Sequence, residues 1–91
     1  MAVTVKLPTQ LRAAAGGAAK VAVDGDTVGA VLEALYAEHP ELRDSLSDGD
    51  GGLRRFVNVY LAGEDIRFLD GLETPVDDGA ELTVLPAVAG G

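Results

Sequence analysis

The 91-residue chain contains no cysteine and only one histidine. The absence of cysteine excludes disulfides, thiolate metal ligands, and a cysteine nucleophile or persulfide carried by this chain. A single histidine leaves no material for a histidine-rich metal site. We therefore expect the chain to bind no metal ion and no cofactor of its own.

Long apolar runs and aromatic side chains are also scarce. No segment approaches the ~20 consecutive apolar residues that span a bilayer. The N-terminus lacks the basic region, apolar run and cleavage site of a secretory signal. These absences predict a cytoplasmic protein without membrane contact. Because aromatic residues make up only 4% of the chain and hydrophobic residues 47%, the core should consist of valine, leucine and alanine.

Basic residues are few. The chain has 7 lysines and arginines against 15 aspartates and glutamates, which gives a formal net charge of −8. This charge repels nucleic acid and acidic lipid, so neither is an expected partner. It favours a protein partner with a positive surface, or it serves only to keep the chain soluble. The sequence leaves both interpretations open.

Several short segments alternate between apolar and polar residues, which is the pattern of a half-buried strand. A chain of this length forms one domain with a single core. The first two strands are expected to form a hairpin. The predicted strands are residues 2–7, 20–23, 55–61, 66–68 and 81–85.

A main helix is predicted after the hairpin, where the apolar spacing changes to that of one helical stripe. Thr27 or Asp26 is the expected N-cap. The helix should end near Glu38-His39, because the residue before Pro40 is disfavoured in the α conformation. A short helical turn is predicted over residues 41–46. The apolar stripe of the main helix consists of Val28, Val31, Leu32 and Leu35.

The order of these elements predicts an α+β fold. The first and last strands can lie side by side in the middle of a mixed sheet, with the main helix packed on one face. This is the β-grasp, or ubiquitin-like, arrangement. We predict that residues 1–85 form the β-grasp domain and that residues 86–91 form a flexible C-terminal tail.

The end of the chain reads Leu85-Pro86-Ala87-Val88-Ala89-Gly90-Gly91. Glycine loses more backbone entropy on ordering than any other residue, so a terminal Gly-Gly is a poor structural element. A thin terminus without side chains suits insertion into another protein, and the reacting group would then be the α-carboxylate of Gly91. Pro86 lacks an amide donor and is predicted to release the tail from the last strand.

A docking surface for a partner is predicted on the outer face of the sheet. If the strand register is as expected, Phe56, Tyr60 and Leu85 share this face and form an apolar patch suited to a partner protein. The alternative is that a loop covers the patch.

Several segments of this chain are similar to those of one family. They are Val-Lys-Leu-Pro-Thr-Gln-Leu-Arg at 5–12, Gly-Asp-Thr-Val at 25–28, Asp-Gly at 78–79, and the terminal Pro-Ala-Val-Ala-Gly-Gly at 86–91. Together they resemble the bacterial sulfur carrier proteins of the MoaD/ThiS group, which are ubiquitin-like. Arg-Arg-Phe-Val-Asn-Val-Tyr at 54–60 and Glu-Asp-Ile-Arg-Phe at 64–68 look most like the actinobacterial CysO type.

The resemblance implies a sequence of reactions at Gly91. An ATP-dependent, E1-like adenylyltransferase and sulfurtransferase would adenylate its carboxylate and convert it to a thiocarboxylate. The sulfur would then pass to an acceptor enzyme, either a PLP-dependent cysteine synthase that uses O-phosphoserine or the synthase of a sulfur-containing metabolite. A JAMM-type metalloprotease would release the product. The chain would be a co-substrate and not an enzyme. Its expected partner-binding residues are Leu85, Pro86, Val88, Ala89 and Gly90, with Phe56 and Tyr60.

Two other functions are compatible with the same ending. The chain could be a small subunit of molybdopterin synthase whose tail stays in the partner's active site. It could also be a ubiquitin-like modifier whose Gly91 forms an isopeptide with a lysine of a target protein. The sequence does not identify the final sulfur acceptor or the oligomeric state.

Overall fold

The computed structural model describes residues 2–47 and 57–86, and these contain five strands in one sheet. The strands are β1 (Ala2–Lys6), β2 (Lys20–Asp24), β3 (Val57–Leu61), β4 (Glu64–Asp65) and β5 (Glu81–Pro86). Their order across the sheet is β2-β1-β5-β3-β4.

The first and last strands lie side by side in the centre of the sheet. β1 pairs with β5 in parallel and with β2 as an antiparallel hairpin. β3 pairs antiparallel with both β5 and β4. This mixed sheet, covered on one face by helices, is a β-grasp fold, as the order of elements predicted.

Three α-helices occur within the described residues. They are α1 (Thr9–Arg12), α2 (Val28–Glu38) and α3 (Pro40–Leu46). α2 is the predicted main helix, and α3 is the predicted short helical turn. Three short 3-10 helices lie between the longer elements, at Ala13–Ala15, Ile66–Phe68 and Gly71–Glu73.

The N-terminus of α2 is fixed by one side chain and by the neighbouring loop. The Thr27 hydroxyl accepts a hydrogen bond from the Ala30 amide at 3.1 Å, which confirms Thr27 as the N-cap. The Val28 amide donates to the Thr74 carbonyl at 2.9 Å, and the Val76 amide donates to the Asp26 carbonyl at 3.0 Å. His39 is the C-cap of α2, directly before Pro40, as the proline rule predicted.

The prediction of a strand over residues 66–68 is wrong. The extended piece is Glu64–Asp65, and the next three residues form a 3-10 helix. Its N-cap is Asp65, whose carboxylate accepts a hydrogen bond from the Arg67 amide at 2.9 Å and so turns the backbone. Ile66 then points into the core with 3% of its surface exposed.

The core lies between the inner face of the sheet and the helices α2 and α3. It contains valine, leucine and alanine almost entirely, as the scarcity of aromatics predicted, with Tyr36 and Ile66 the exceptions. Gly25 lets the loop after β2 approach α2 closely, because a Cβ at this position would lie 2.7 Å from the Val31 amide nitrogen. The side chains with essentially no exposure are Val3, Val5, Val28, Val31, Leu35, Leu42, Leu46, Val59, Leu82 and Val84.

Candidate functional site

The strand that leads into the C-terminal segment runs through the centre of the sheet. β5 lies between β1 and β3, so the chain leaves the sheet from its middle. Pro86 is paired with Val57, which makes the strand one residue longer than predicted. A proline can take this last position because no further ladder bond is required of its missing N–H.

The residues predicted to enter a partner lie beyond this strand. Val88, Ala89, Gly90 and Gly91 fall outside the described residues, and so does Phe56. Their roles stay predictions from the sequence.

Tyr60 and Leu85, the other predicted docking residues, lie on the outer face of the sheet. Leu85 is paired with Asn58, and Tyr60 is paired with Thr83 on the same face. Leu82 and Val84 point the opposite way and are fully buried. Leu85 is 44% exposed, whereas Tyr60 is half-buried. A large apolar side chain therefore stands open to solvent one residue before the strand ends.

An arginine is held over the same face, next to the position of Leu85. The Arg67 guanidinium donates to the Asp65 carboxylate at 2.8 Å and to the Asn58 Oδ1 at 2.7 Å. Asn58 is the cross-strand neighbour of Leu85, so the charge is fixed close to the end of β5. The Arg67 side chain is 65% exposed although its head group is held by two partners.

The ionisation of Asp65 is shifted by this contact. Hydrogen bonds from the Arg67 side chain, and then from its backbone amide, hold the pKa of the Asp65 carboxyl below its ordinary value of 3.8. The same carboxylate raises the pKa of Arg67 above its ordinary value. The pair therefore keeps both charges over the whole neutral range.

A groove of about 190 Å³ opens beside the end of β5. Its lining includes Thr83 and Leu85 from β5, Lys6 from the end of β1, and Arg12 from the end of α1. The Arg12 Nε donates to the Leu7 carbonyl at 3.2 Å, which ties this side chain to the end of β1. Two cationic side chains therefore lie where the chain leaves the sheet.

Sequence reasoning missed several residues of this surface. Arg67 and Phe68 were assigned to a strand, although Phe68 is 82% exposed. Lys6 and Lys20 lie in the predicted hairpin strands 2–7 and 20–23, for which no role in the site was predicted. The direct pairing of these two lysines depends on the register between β1 and β2.

Within residues 2–47 and 57–86, no three acidic or histidine side chains are grouped closely enough to hold a metal ion. None of the helices in those ranges has the length and apolar character needed to cross a membrane.

The sequence as a whole matches the model of the ThiS family over residues 5–91. It is 48% identical over 93 aligned residues to the sulfur carrier protein CysO of Mycobacterium tuberculosis strain H37Rv, covering all of both chains. It is 46% identical over 70 residues to the small archaeal modifier protein 3 of Haloferax volcanii, covering 76% of this chain and 75% of that protein.

The fold has a similar relative among solved structures. One chain of the crystal structure of the Amycolatopsis orientalis BexX/CysO complex superposes with a TM-score of 0.89 at 45% sequence identity. The superposition covers 98% of the present chain and 99% of that one. The similarity therefore extends through the sheet, the helices and the end of β5.

Proposed function

Because this chain belongs to the ThiS family, we propose that it is a sulfur carrier protein that transports sulfur as a thiocarboxylate on Gly91. The observation that carries the proposal is the 48% identity over the full length to the sulfur carrier protein CysO. The family match runs to residue 91 and so includes the Gly90-Gly91 ending.

The proposed reaction activates a carboxylate, which is a poor electrophile. The Gly91 carboxylate attacks the α-phosphorus of ATP, forms an acyl adenylate and releases pyrophosphate. Hydrosulfide then attacks the acyl carbon, AMP leaves, the added sulfur loses its proton, and a C-terminal thiocarboxylate remains. An E1-like adenylyltransferase would bind the ATP and catalyse both steps. Gly90 and Gly91 carry no side chains, so they suit a narrow active-site channel.

The chain itself acts as a protein co-substrate in this proposal. The name of its relative CysO describes a carrier and supports this role. The face that carries Leu85, Tyr60 and Arg67 would dock on the partner while the segment after Pro86 enters it. The similar CysO was crystallised in a complex with BexX, which supports a second protein as partner.

The sulfur acceptor would be a further enzyme. A PLP-dependent cysteine synthase that starts from O-phosphoserine is one candidate, with a JAMM-type metalloprotease releasing cysteine from the carrier. A synthase of another sulfur-containing metabolite is the second. In both cases the thiocarboxylate sulfur is the nucleophile, and the carrier returns to its carboxylate form.

Mass spectrometry tests the proposal directly. The protein is incubated with ATP, a sulfide source and the E1-like adenylating enzyme of the same organism. We expect a mass increase equal to the replacement of one oxygen by one sulfur, located in the C-terminal fragment. Deletion of Gly91 should abolish the increase, and so should one alanine added after Gly91, which keeps both glycines but displaces the carboxylate. Unchanged loading of either variant would contradict the proposal.

A second candidate function is protein modification. The 46% identity to the small archaeal modifier protein 3 favours it. Gly91 would form an isopeptide with a lysine through the same adenylate, so the two functions can coexist. Conjugates of higher mass in lysate, lost on deletion of Gly91, would establish it. The molybdopterin-synthase alternative stays a prediction from the tail sequence, and a stable heterotetramer on purification would favour it.

A further inference from the structure

Three cationic side chains gather at the end of the sheet from which β5 leaves, and we call Lys6, Arg12 and Lys20 the basic end. Lys6 and Lys20 are direct cross-strand partners in β1 and β2, and both are exposed. Lys6 and Arg12 line the groove beside β5, where the Arg12 side chain is fixed by its hydrogen bond to the Leu7 carbonyl.

In residues 2–47 and 57–86, no ion pair joins a carboxylate to the basic end. Within the described residues, the cations that form ion pairs are Arg43 with Glu33, at 3.4 Å, and Arg67 with Asp65, at 2.8 Å. Like charges placed directly opposite each other on neighbouring strands destabilise a sheet. Although the chain has 15 acidic residues, its described part contains no ion pair to the directly opposed Lys6 and Lys20. A binding partner that supplies negative charge would remove this repulsion.

The position of the basic end relates it to the C-terminal segment. β1 and β5 are parallel, and Lys6 is the register partner of Thr83. Pro86 lies three residues further along, or about 10 Å at the rise of a strand. The exposed acidic residues beside β1 lie nearer its other end: Asp24 is paired with Ala2, Glu81 is paired with Thr4, and the Asp78 carboxylate accepts a hydrogen bond from the Ala2 amide. Charge is therefore segregated along the strands.

We propose that the basic end binds an acidic surface of the enzyme that takes up the C-terminal tail. This inference rests on the proposed function, because it assumes a partner that receives Gly91. Such a surface is attracted to the basic end and repelled by the acidic remainder of the molecule. Electrostatic steering therefore favours the orientation of the carrier in which the C-terminal tail faces the partner.

A local acidic patch on a protein fits better than an extended polyanion. Nucleic acid and anionic membranes carry negative charge over long distances, so they would also face the acidic end of the sheet. With a Debye length of about 8 Å at physiological ionic strength, attraction at the basic end does not cancel repulsion that arises at the acidic end. The net charge of −8 has the same effect at longer range.

Single charge reversals test the proposal. Lys6→Glu and Lys20→Glu each remove one cation of the basic end, and each leaves opposite charges across the strand pair, so both variants should fold. Arg43→Glu is the matched control, because it changes the net charge equally but lies on α3, on the helical side of the sheet. Circular dichroism and urea unfolding establish that all three are folded.

The readout is the association rate with the purified E1-like adenylating enzyme of the same organism, without ATP. At low salt we expect Lys6→Glu and Lys20→Glu to slow association about 5- to 10-fold, and Arg43→Glu less than about 2-fold. The difference in association rate between these variants and Arg43→Glu should largely disappear near 0.5 M salt, because the Debye length there is only ~4 Å. Equal effects of all three variants, or effects that do not depend on salt, would overturn the proposal.

A second experiment separates the classes of partner. The 15N-labelled protein is titrated with an oligoglutamate peptide and with single-stranded oligothymidine. The peptide should shift the amide signals of Lys6, Lys20 and Thr83 and leave those of α3 unchanged. If the oligonucleotide binds more tightly than the peptide, the proposal of an acidic protein surface is overturned in favour of a nucleic acid as the partner.

The two proposals can fail independently. The variant lacking Gly91 should associate with the same dependence on Lys6 and Lys20, because these residues act before the tail reacts. Charge-dependent association without any sulfur loading would refute the carrier chemistry and keep the basic end. If sulfur is loaded but the association rate does not change when Lys6 or Lys20 is replaced, the proposal for the basic end is refuted and the carrier chemistry is kept.

Discussion

The Arg67 guanidinium donates three hydrogen bonds to the Asp65 carboxylate, two from Nε at 3.2 Å and one from Nη2 at 2.8 Å. The carboxylate side chain is 7% exposed, whereas the guanidinium side chain is 65% exposed. Asp65 also accepts from the Arg67 backbone amide. One carboxylate thus shapes the 3-10 helix after β4 and holds a cation over the outer face of the sheet.

The Asp65–Arg67 contact makes stability depend on acidity. The folded pKa of Asp65 lies below its ordinary value of 3.8, so the stabilisation is complete above that value and is lost as the pH falls through the lowered one. We expect Asp65→Asn to be less stable than the wild type at neutral pH, and to lose less stability on acidification. Urea unfolding at pH about 7 and about 3 measures both effects. The exposed Asp77→Asn is the control and should keep the wild-type profile. Parallel pH profiles for Asp65→Asn and the wild type would contradict the assignment.

Tyr36 makes stability depend on alkaline pH. Burial, and then the charge of Glu33, raises its pKa from 10.0 to about 12, although Arg43 lies 5.4 Å from the ring centroid and acts in the other direction. The stabilisation is present below the unfolded pKa and is lost as the pH rises towards the folded one. Tyr36→Phe should therefore show a smaller loss of unfolding free energy between pH 10.0 and about 12.

The control for Tyr36 is the other tyrosine of the chain. Tyr60→Phe leaves the buried hydroxyl of Tyr36 in place and should keep the steeper alkaline decline. Titration of the tyrosinate absorbance in this variant reports Tyr36 alone. A midpoint near 10.0 in the folded protein would disprove the effect of burial.

The N-cap of α2 should contribute measurably to stability. Thr27→Ala removes the acceptor of the Ala30 amide and should lower the unfolding free energy by about 1 kcal/mol. Thr27→Ser keeps a hydroxyl and should recover most of the loss. Urea unfolding with a common slope measures the difference. An equal loss for serine and alanine would mean that the Thr27 methyl group, and not the hydrogen bond, stabilises the helix.

The apolar docking face should be required for sulfur loading. Leu85→Glu places a charge on a side chain that is 44% exposed, so the fold should survive while loading by the adenylating enzyme slows at least about 10-fold. Ala37→Glu introduces the same charge on the exposed side of α2, away from the outer face of the sheet, and should load normally. Equal loading rates of the two variants would exclude Leu85 from the docking surface.

The periodic elements were predictable because each has a repeating relation between sequence and burial. Val59 and Leu82 are buried on strands whose alternation is plain. The buried stripe of α2 includes Val28, Val31, Leu32 and Leu35. The segment 66–68 was not predictable in this way. Its conformation depends on a hydrogen bond from the Arg67 backbone amide to the Asp65 carboxylate, which has no period in the sequence.

The candidate site was predicted unevenly for a similar reason. Tyr60 and Leu85 follow from alternation along single strands, so their face could be predicted. The basic end depends on the register between β1 and β2 and on the hydrogen bond from Arg12 to the Leu7 carbonyl, and neither is visible in one strand. The net charge favoured a positive partner surface, whereas the local charge beside β5 favours a negative one.

The central place of the last strand also governs when the protein can fold. β1 cannot complete its pairing until β5 has been synthesised, so the sheet remains open while more than 80 residues leave the ribosome. A chain interrupted before Glu81 lacks the middle of its sheet. Every folded copy has therefore been translated through β5. An enzyme that recognises the outer face of the sheet thus binds only molecules in which the strand before the tail has been synthesised.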